Sequence, residues 1–255
     1  MNQNFRKKLL NKIWRESALF TARKNAFMPS EKKIVSFTFD DYPLSAIENG
    51  ARILEAHKVN GTFYCSLGLA GKDSSVGVIG NEKDMLEISE RGHECACHTF
   101  GYVNCADITP EFLMEDCLRN QKIAKEFMNL KFHSFAYPGG AFNPASKRVV
   151  SGLYRSVRTV KPGINSGRID LACLNGVPLY ELLGLEAAKK WLDKLELSGG
   201  WLIFYTHDVS YKPSSHGSSV RLFEGILEAT IQRGFQIMTV LQATETAVVE
   251  DKKLP

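Results

Sequence analysis

Two hydrophobic periods alternate along the 255-residue chain. Short apolar runs at IVSFTF (34–39), GTFYCSL (61–67), HECACHT (93–99) and FHSFAYP (132–138) predict strands. Further strands are predicted near 155–160, at WLIFYTH (201–207) and at FQIMTV (235–240). Between them apolar residues recur at helical spacing, as Ile47, Ile53 and Leu54 do within 45–58. Helices are also predicted over 82–92, stopped by Gly92, and over 109–128, with Thr109 as cap and Pro110 in the first position. Three more fall near 143–151, over 185–196 and over 219–233, while 161–184 reads as loop. Strand and helix in regular succession argue for a parallel α/β sheet, open or closed. No repeat or low-complexity linker intervenes, so 34–255 is expected to be one domain behind an N-terminal helical extension over 1–33.

The extension sets Leu9, Leu10, Ile13 and Trp14 on one helical face, with Arg6, Lys7, Lys8, Lys12 and Arg15 elsewhere. Peripheral contact with an anionic membrane is one reading; packing on the domain, with the charges in water, is the preferred one. The segment lacks the apolar core and cleavage site of a secretory leader, which gives a cytoplasmic location as the expectation. No stretch approaches the ~18 apolar residues of a transmembrane helix. With 44% hydrophobic and 24% charged residues, the composition is that of a soluble globular protein. A net charge of +4 without a basic stripe gives no reason to expect a nucleic-acid partner. The six cysteines form no CxxC pair and are expected to be reduced, buried thiols.

Candidate chemistry collects at strand ends. The first strand runs into Asp40-Asp41-Tyr42-Pro43, the third into His98-Thr99, the fourth into Tyr137-Pro138-Gly139-Gly140, and a late one into Thr206-His207-Asp208. In a parallel barrel these ends meet on one face. Adjacent carboxylates repel, so a cation belongs beside them; a metal on one Asp and a His, with the other Asp free as base, meets that need.

TFDDYP resembles the TFDD[GA]P signature of the polysaccharide deacetylase family (carbohydrate esterase family 4, NodB-type). GHECACHT resembles that family's GHEIGNHT segment, and LIFYTH its late leucine-plus-histidine motif, in order over roughly 34–240. The resemblance implies a distorted, seven-stranded (β/α) barrel of the NodB-homology type. It also implies a hydrolase that uses a divalent metal, zinc by default, to remove an acetyl group from an N-acetylated sugar in surface polysaccharide or glycan-precursor metabolism. By the same resemblance Asp40 is the general base, Asp41 and His98 are metal ligands, His207 is the general acid, and the Gly139 amide helps to hold the oxyanion.

Two positions depart from that pattern. The second ligand histidine of the family falls at Tyr102, taken here as the third ligand, with Asn104, His216 or water as alternatives. The arginine that precedes the family's third motif is missing from Ala136-Tyr137-Pro138-Gly139-Gly140, and Arg155 or Arg158 is expected to replace it. Among the aromatics Tyr42, Tyr137 and Trp201, Tyr137 is assigned to stack on a sugar ring. His93 is read as structural and His57 and His133 as plain polar residues; Asp208, next to His207, could orient it, although strand alternation would point it away. The alternative to an enzyme is a catalytically impaired, carbohydrate-binding relative with an incomplete metal site.

Overall fold

The structure is a computed structural model and describes residues 17–249 except residue 19. From β1 (Asn25–Met28) and β2 (Lys33–Asp40) the chain passes through β3 (Thr62–Cys65), β4 (Glu94–Cys97), β5 (Ser134–Ala136) and β6 (Ser156–Arg158). It continues through β7 (Gly167–Asp170), β8 (Val177–Pro178), β9 (Gly200–Thr206), β10 (Gln236–Ile237) and β11 (Val248–Val249). A π-helical turn, Ala46–Ala51, leads into α1 (Arg52–Ala56). The other helices are α2 (Glu82–Glu90), α3 (Pro110–Met128), α4 (Pro144–Leu153), α5 (Gly184–Ser198), α6 (Val220–Gln232) and α7 (Val240–Thr246). Thr109 caps α3 as expected, accepting the Phe112 N–H at 3.3 Å.

Seven strands lie side by side in the order β8-β9-β2-β3-β4-β5-β6, every neighbouring pair parallel. β10 pairs with the first half of β2, at Ile34 and Val35, and β3 with the second half, from Thr38 to Asp40. The sheet curls until its two edges meet. The Thr159 N–H donates to the Leu174 carbonyl at 2.8 Å, and five residues later the Leu179 N–H donates to Tyr205 at 2.8 Å. One short segment thus stitches β6 to β9, giving the expected distorted (β/α) barrel.

Side chains alternate across this sheet with period two. Val35, Phe37, Phe39, Phe63, Cys95, Cys97, Phe135, Val157, Leu202 and Phe204 face the helices and form one core. Phe39 stacks on Phe63 with ring centroids 4.5 Å apart, and each such buried ring contributes about 1.5–3 kcal/mol. The opposite parity carries Ser36, Thr38, Asp40, Tyr64, His98, Arg158 and Tyr205, together with Ile34, Trp201 and Ile203 of a second, smaller apolar cluster, so this face is polar mainly where the strands end. α7 meets this face near the strand starts: the Val240 N–H donates to Thr62 Oγ1 at 2.9 Å and the Leu241 N–H to Glu94 Oε2 at 2.8 Å.

Three expectations change. The strand expected over 235–240 shortens to β10, because Thr239 and Gln242 form a capping box that starts α7, a helix the apolar pattern did not reveal. The stretch 161–184 contains β7 and β8 rather than loop alone. The helical reading of 1–33 fails at 25–28, where β1 pairs antiparallel with β7 and β11, and β2 already begins at Lys33. The amphipathic segment bearing Leu9, Leu10, Ile13 and Trp14 lies outside the described residues. No described helix is long and apolar enough to cross a membrane. The six cysteines are free.

The β1–β7 ribbon is fastened to the barrel by a buried cation. Lys147 Nζ, on α4, reaches Asp170 Oδ2 at 2.6 Å and the Ala18 carbonyl at 2.9 Å. Asp170→Ala leaves that ammonium unpaired in the interior and should cost about 3–5 kcal/mol, read as a lowered urea midpoint.

Candidate active site

Inward parity and the shared strand direction bring Asp40, His98, Arg158 and His207 to the C-terminal end of the barrel, where such folds carry their chemistry. Arg158, 1% exposed, donates from Nη2 to Asp40 Oδ1. Its guanidinium lies 5.0 Å from the Tyr64 ring centroid and 4.6 Å from that of Tyr205. Burial alone would raise the Asp40 carboxyl; Arg158, with His98 and His207, outweighs burial and holds it below the usual carboxylate range. Arg158 therefore supplies the cation expected from Arg155 or Arg158, while Arg155 pairs with Glu245 on the surface at 2.9 Å.

Alternation would turn Asp41 toward the helices, but Asp41 and Tyr42 both adopt left-handed backbone, with φ 63° and 40°. The turn returns the Asp41 carboxylate to within 3.7 Å of His98 Nε2. Its Oδ1 is buried and has no hydrogen-bond partner among the described residues. Burial and then the charge on Asp40 push this carboxyl up to about 7. His98 Nδ1 lies 2.8 Å from the Ala136 carbonyl, so the ring hydrogen sits on Nδ1 and the Nε2 lone pair faces Asp41. Burial lowers the His98 imidazole to about 4, which keeps it neutral at pH 7.

Asp116 on α3 anchors the turn after β4, accepting the N–H groups of Phe100 at 2.6 Å and Gly101 at 3.2 Å. Thr99 and Tyr102 are left-handed here. The Tyr102 ring meets His98 edge-on with centroids 5.4 Å apart. Burial, then Asp41 and Asp40, raise its phenol above the ordinary tyrosine value. Asn104 does not reach the site: its side chain accepts from Ala106 N at 3.0 Å and donates to Asp107 at 3.1 Å, inside its own turn. His216 lies with its ring centroid 5.5 Å from that of His207. Of the seven non-glycine residues with positive φ among those described, four are Asp41, Tyr42, Thr99 and Tyr102, and such strain gathers where a site demands it.

Gly139 has φ 58° and open space where a Cβ would stand, so its backbone conformation is what favours glycine. His207 Nδ1 lies 3.2 Å from the His216 carbonyl. Tyr137 is corrected: two residues from Phe135, it shares the outward parity, is 1% exposed and stacks on Phe142 at 4.6 Å, so it packs the core and offers no sugar platform. Trp201 sits at the opposite end of the barrel, bonded to Ser36 at 2.9 Å. His93 is structural, held by Glu55 at 2.8 Å and Gly61 at 2.9 Å. The expectations missed Tyr64 and Tyr205, whose inward parity was readable, and Tyr180, whose ring lies 6.2 Å from His207 and for which no sequence signal existed.

A buried, unpartnered carboxylate oxygen facing an unprotonated imidazole nitrogen fits two ligands of a divalent cation. Among the described residues no group of three His, Cys, Asp or Glu side chains is arranged to hold a metal, and the Tyr102 ring stands beside His98.

Residues 28–154 match the family model described as Polysaccharide deacetylase. The chain belongs to the polysaccharide deacetylase family. Solved structures agree with a deacetylase fold. A Mycobacterium smegmatis protein assigned to the polysaccharide deacetylases superposes with TM-score 0.67 at 17% identity, covering 89% of this chain and 93% of its own. A family 4 acetyl xylan esterase from Clostridium thermocellum, in complex with cobalt, gives 0.58 at 18%, covering 84% and 91%. A mutant of a CE4 family pseudoenzyme with restored activity gives 0.58 at 12%, covering 84% and 68%. At these identities the likeness carries the fold of the deacetylases. No curated protein matches the chain.

Arg158→Met strands the Asp40 charge in the interior and should lower stability by about 3–5 kcal/mol, whereas Arg155→Ala, which removes an exposed pair, should cost under about 1 kcal/mol. Urea denaturation of the two variants checks this contrast.

Proposed function

We propose that this deacetylase-family chain removes an acetyl group from an N-acetylated sugar of surface polysaccharide or glycan-precursor metabolism, with a divalent cation, zinc by default, as cofactor. The observation that carries the reading is the pairing of an Arg158-held Asp40 with an Asp41 carboxylate whose buried Oδ1 has no hydrogen-bond partner among the described residues and faces the His98 nitrogen. Asp41 and His98 would hold the cation, with Tyr102 beside them as the third donor. When bound, the cation polarises the acyl carbonyl and acidifies water.

The remaining work falls to the chain's own groups. Asp40, kept ionised by Arg158, takes the proton from the attacking water. Gly139, in the turn Pro138–Gly140 that follows β5, offers its amide N–H to the developing oxyanion. In its imidazolium form His207 keeps Nδ1–H on the His216 carbonyl and delivers the Nε2 proton to the departing amine, and the proton taken up by Asp40 leaves to solvent, which recharges His207. Acetate and a free amino sugar leave. Tyr64 and Tyr205 sandwich the guanidinium and limit its freedom to leave Asp40.

Zinc loading followed by desalting and metal analysis should leave close to one zinc per chain, and Asp41→Ala should lose it. Tyr102→His, which adds an imidazole where the phenol stands, should tighten zinc by tenfold or more on the scale of about 10–100-fold seen for changes around metal sites. Asp40→Asn should abolish deacetylation of N-acetylated oligosaccharides while zinc stays bound. Wild-type protein that retains no zinc and releases no acetate would point instead to the carbohydrate-binding alternative.

A further inference from the structure

His207 directly follows β9, and the chain turns at once into a loop that comes back to it. The His207 N–H donates to the His216 carbonyl at 3.1 Å, and Nδ1 lies 3.2 Å from the same oxygen. One backbone carbonyl thus decides which ring nitrogen carries the hydrogen. The His216 ring does not hold that carbonyl; it is exposed and bonded to its neighbour Ser215 at 3.1 Å.

The anchor is Asp208. Just past the strand, its side chain is buried, 4% exposed, and its hydrogen bonds go to the loop. Its carboxylate accepts the Ser214 N–H at 2.8 Å and the Ser214 hydroxyl at 2.5 Å, with the Ser210 hydroxyl at 3.5 Å. Ser214 Oγ in turn accepts the His216 N–H at 3.2 Å. The Asp208 carbonyl accepts the Ser218 N–H at 2.9 Å, closing the loop from its far side. A Cβ on Gly217 would lie 2.3 Å from Asp208 Oδ1, so the carboxylate and the returning backbone approach as closely as glycine permits.

We propose that Asp208 is a positioning residue: through Ser214 and the Gly217 turn it holds the His216 carbonyl against His207 Nδ1, fixing the Nδ1–H tautomer and leaving Nε2 for the substrate. The catalytic consequence rests on the function proposed above; the tautomer does not. A carboxylate normally orients such a histidine by direct contact. Here the carboxylate acts one loop away, and a carbonyl makes the contact. The arrangement keeps a further negative charge off the His207 ring while preserving its orientation.

Long-range proton–nitrogen correlation spectra of the full chain, assigned through His207→Asn, read the tautomer directly. Wild type should show the single Nδ1–H form. Asp208→Ala and Ser214→Ala should show a mixture, and Asp208→Asn, which keeps an acceptor oxygen, should lie between. Turnover of an N-acetylated oligosaccharide should fall about tenfold to a hundredfold in kcat in the two alanine variants, with KM within about twofold. Circular dichroism identifies any variant that fails to fold, and Ser214→Ala, the milder change, then decides. A single Nδ1–H tautomer in folded Ser214→Ala and Asp208→Ala overturns the proposal, whatever the activity. A tautomer mixture in a chain whose wild type releases no acetate upholds the positioning and removes the deacetylase reading.

Discussion

A guanidinium buried inside a barrel must meet an anion, and Arg158 reaches from β6 to meet Asp40 on β2. The pair gains little net stability, because both charges have left water. Its effect is to fix which charges the site contains. Asp40 stays ionised, and burial, helped by the charge on Asp40, raises Asp41 beside it to about 7. The same charge helps to raise the Tyr102 phenol. Ion pair and burial together leave a site with an ionised Asp40, an Asp41 carboxyl raised to about 7, and a neutral His98 imidazole facing it.

Much of this arrangement was written in the strand alternation. Positions 36, 38 and 40 share a face on β2, as 156 and 158 do on β6, and that parity alone separates the inward Arg158 from the outward Arg155. It also removes Tyr137 from the site, because Phe135 and Tyr137 must point the same way. The apolar runs located the strands because burial on the helix side demands them. What the pattern could not carry was backbone geometry: nothing in Asp40-Asp41-Tyr42 announces two consecutive left-handed residues, yet without them Asp41 would face the helices. The β1–β7–β11 ribbon was equally hidden, since it joins segments more than 70 residues apart through short strands. α7 was concealed for another reason: its apolar positions run on from FQIMTV, and only Thr239 with Gln242 marks the change of period.

The loops divide into those that shape the site and those that hold it. Asp116 pins the turn after β4 by its backbone N–H groups, and Asn120, also on α3, bonds the Cys65 carbonyl at 2.8 Å and the Leu67 N–H at 3.1 Å. One helix thus fixes the exits of two neighbouring strands. The late loop is stapled separately, by Asp208. His98 and His207 are consequently held by different parts of the chain, and a change in one loop need not displace the other histidine.

That independence bears on the exchange of histidine for tyrosine at position 102. The turn from Thr99 to Val103 is set by Asp116 and by the Thr99 hydroxyl, which accepts the Val103 N–H at 3.1 Å, and neither contact depends on the side chain at 102. Ligand chemistry at this position can therefore change while the backbone that presents it stays. The phenol is longer than an imidazole and remains protonated beside two carboxylates, so its oxygen gives up its hydrogen only when a cation offsets their charge. Under the proposed ligand set, cation binding and deprotonation of Tyr102 are linked, and affinity should rise with pH more steeply than it would with a neutral imidazole in the same place.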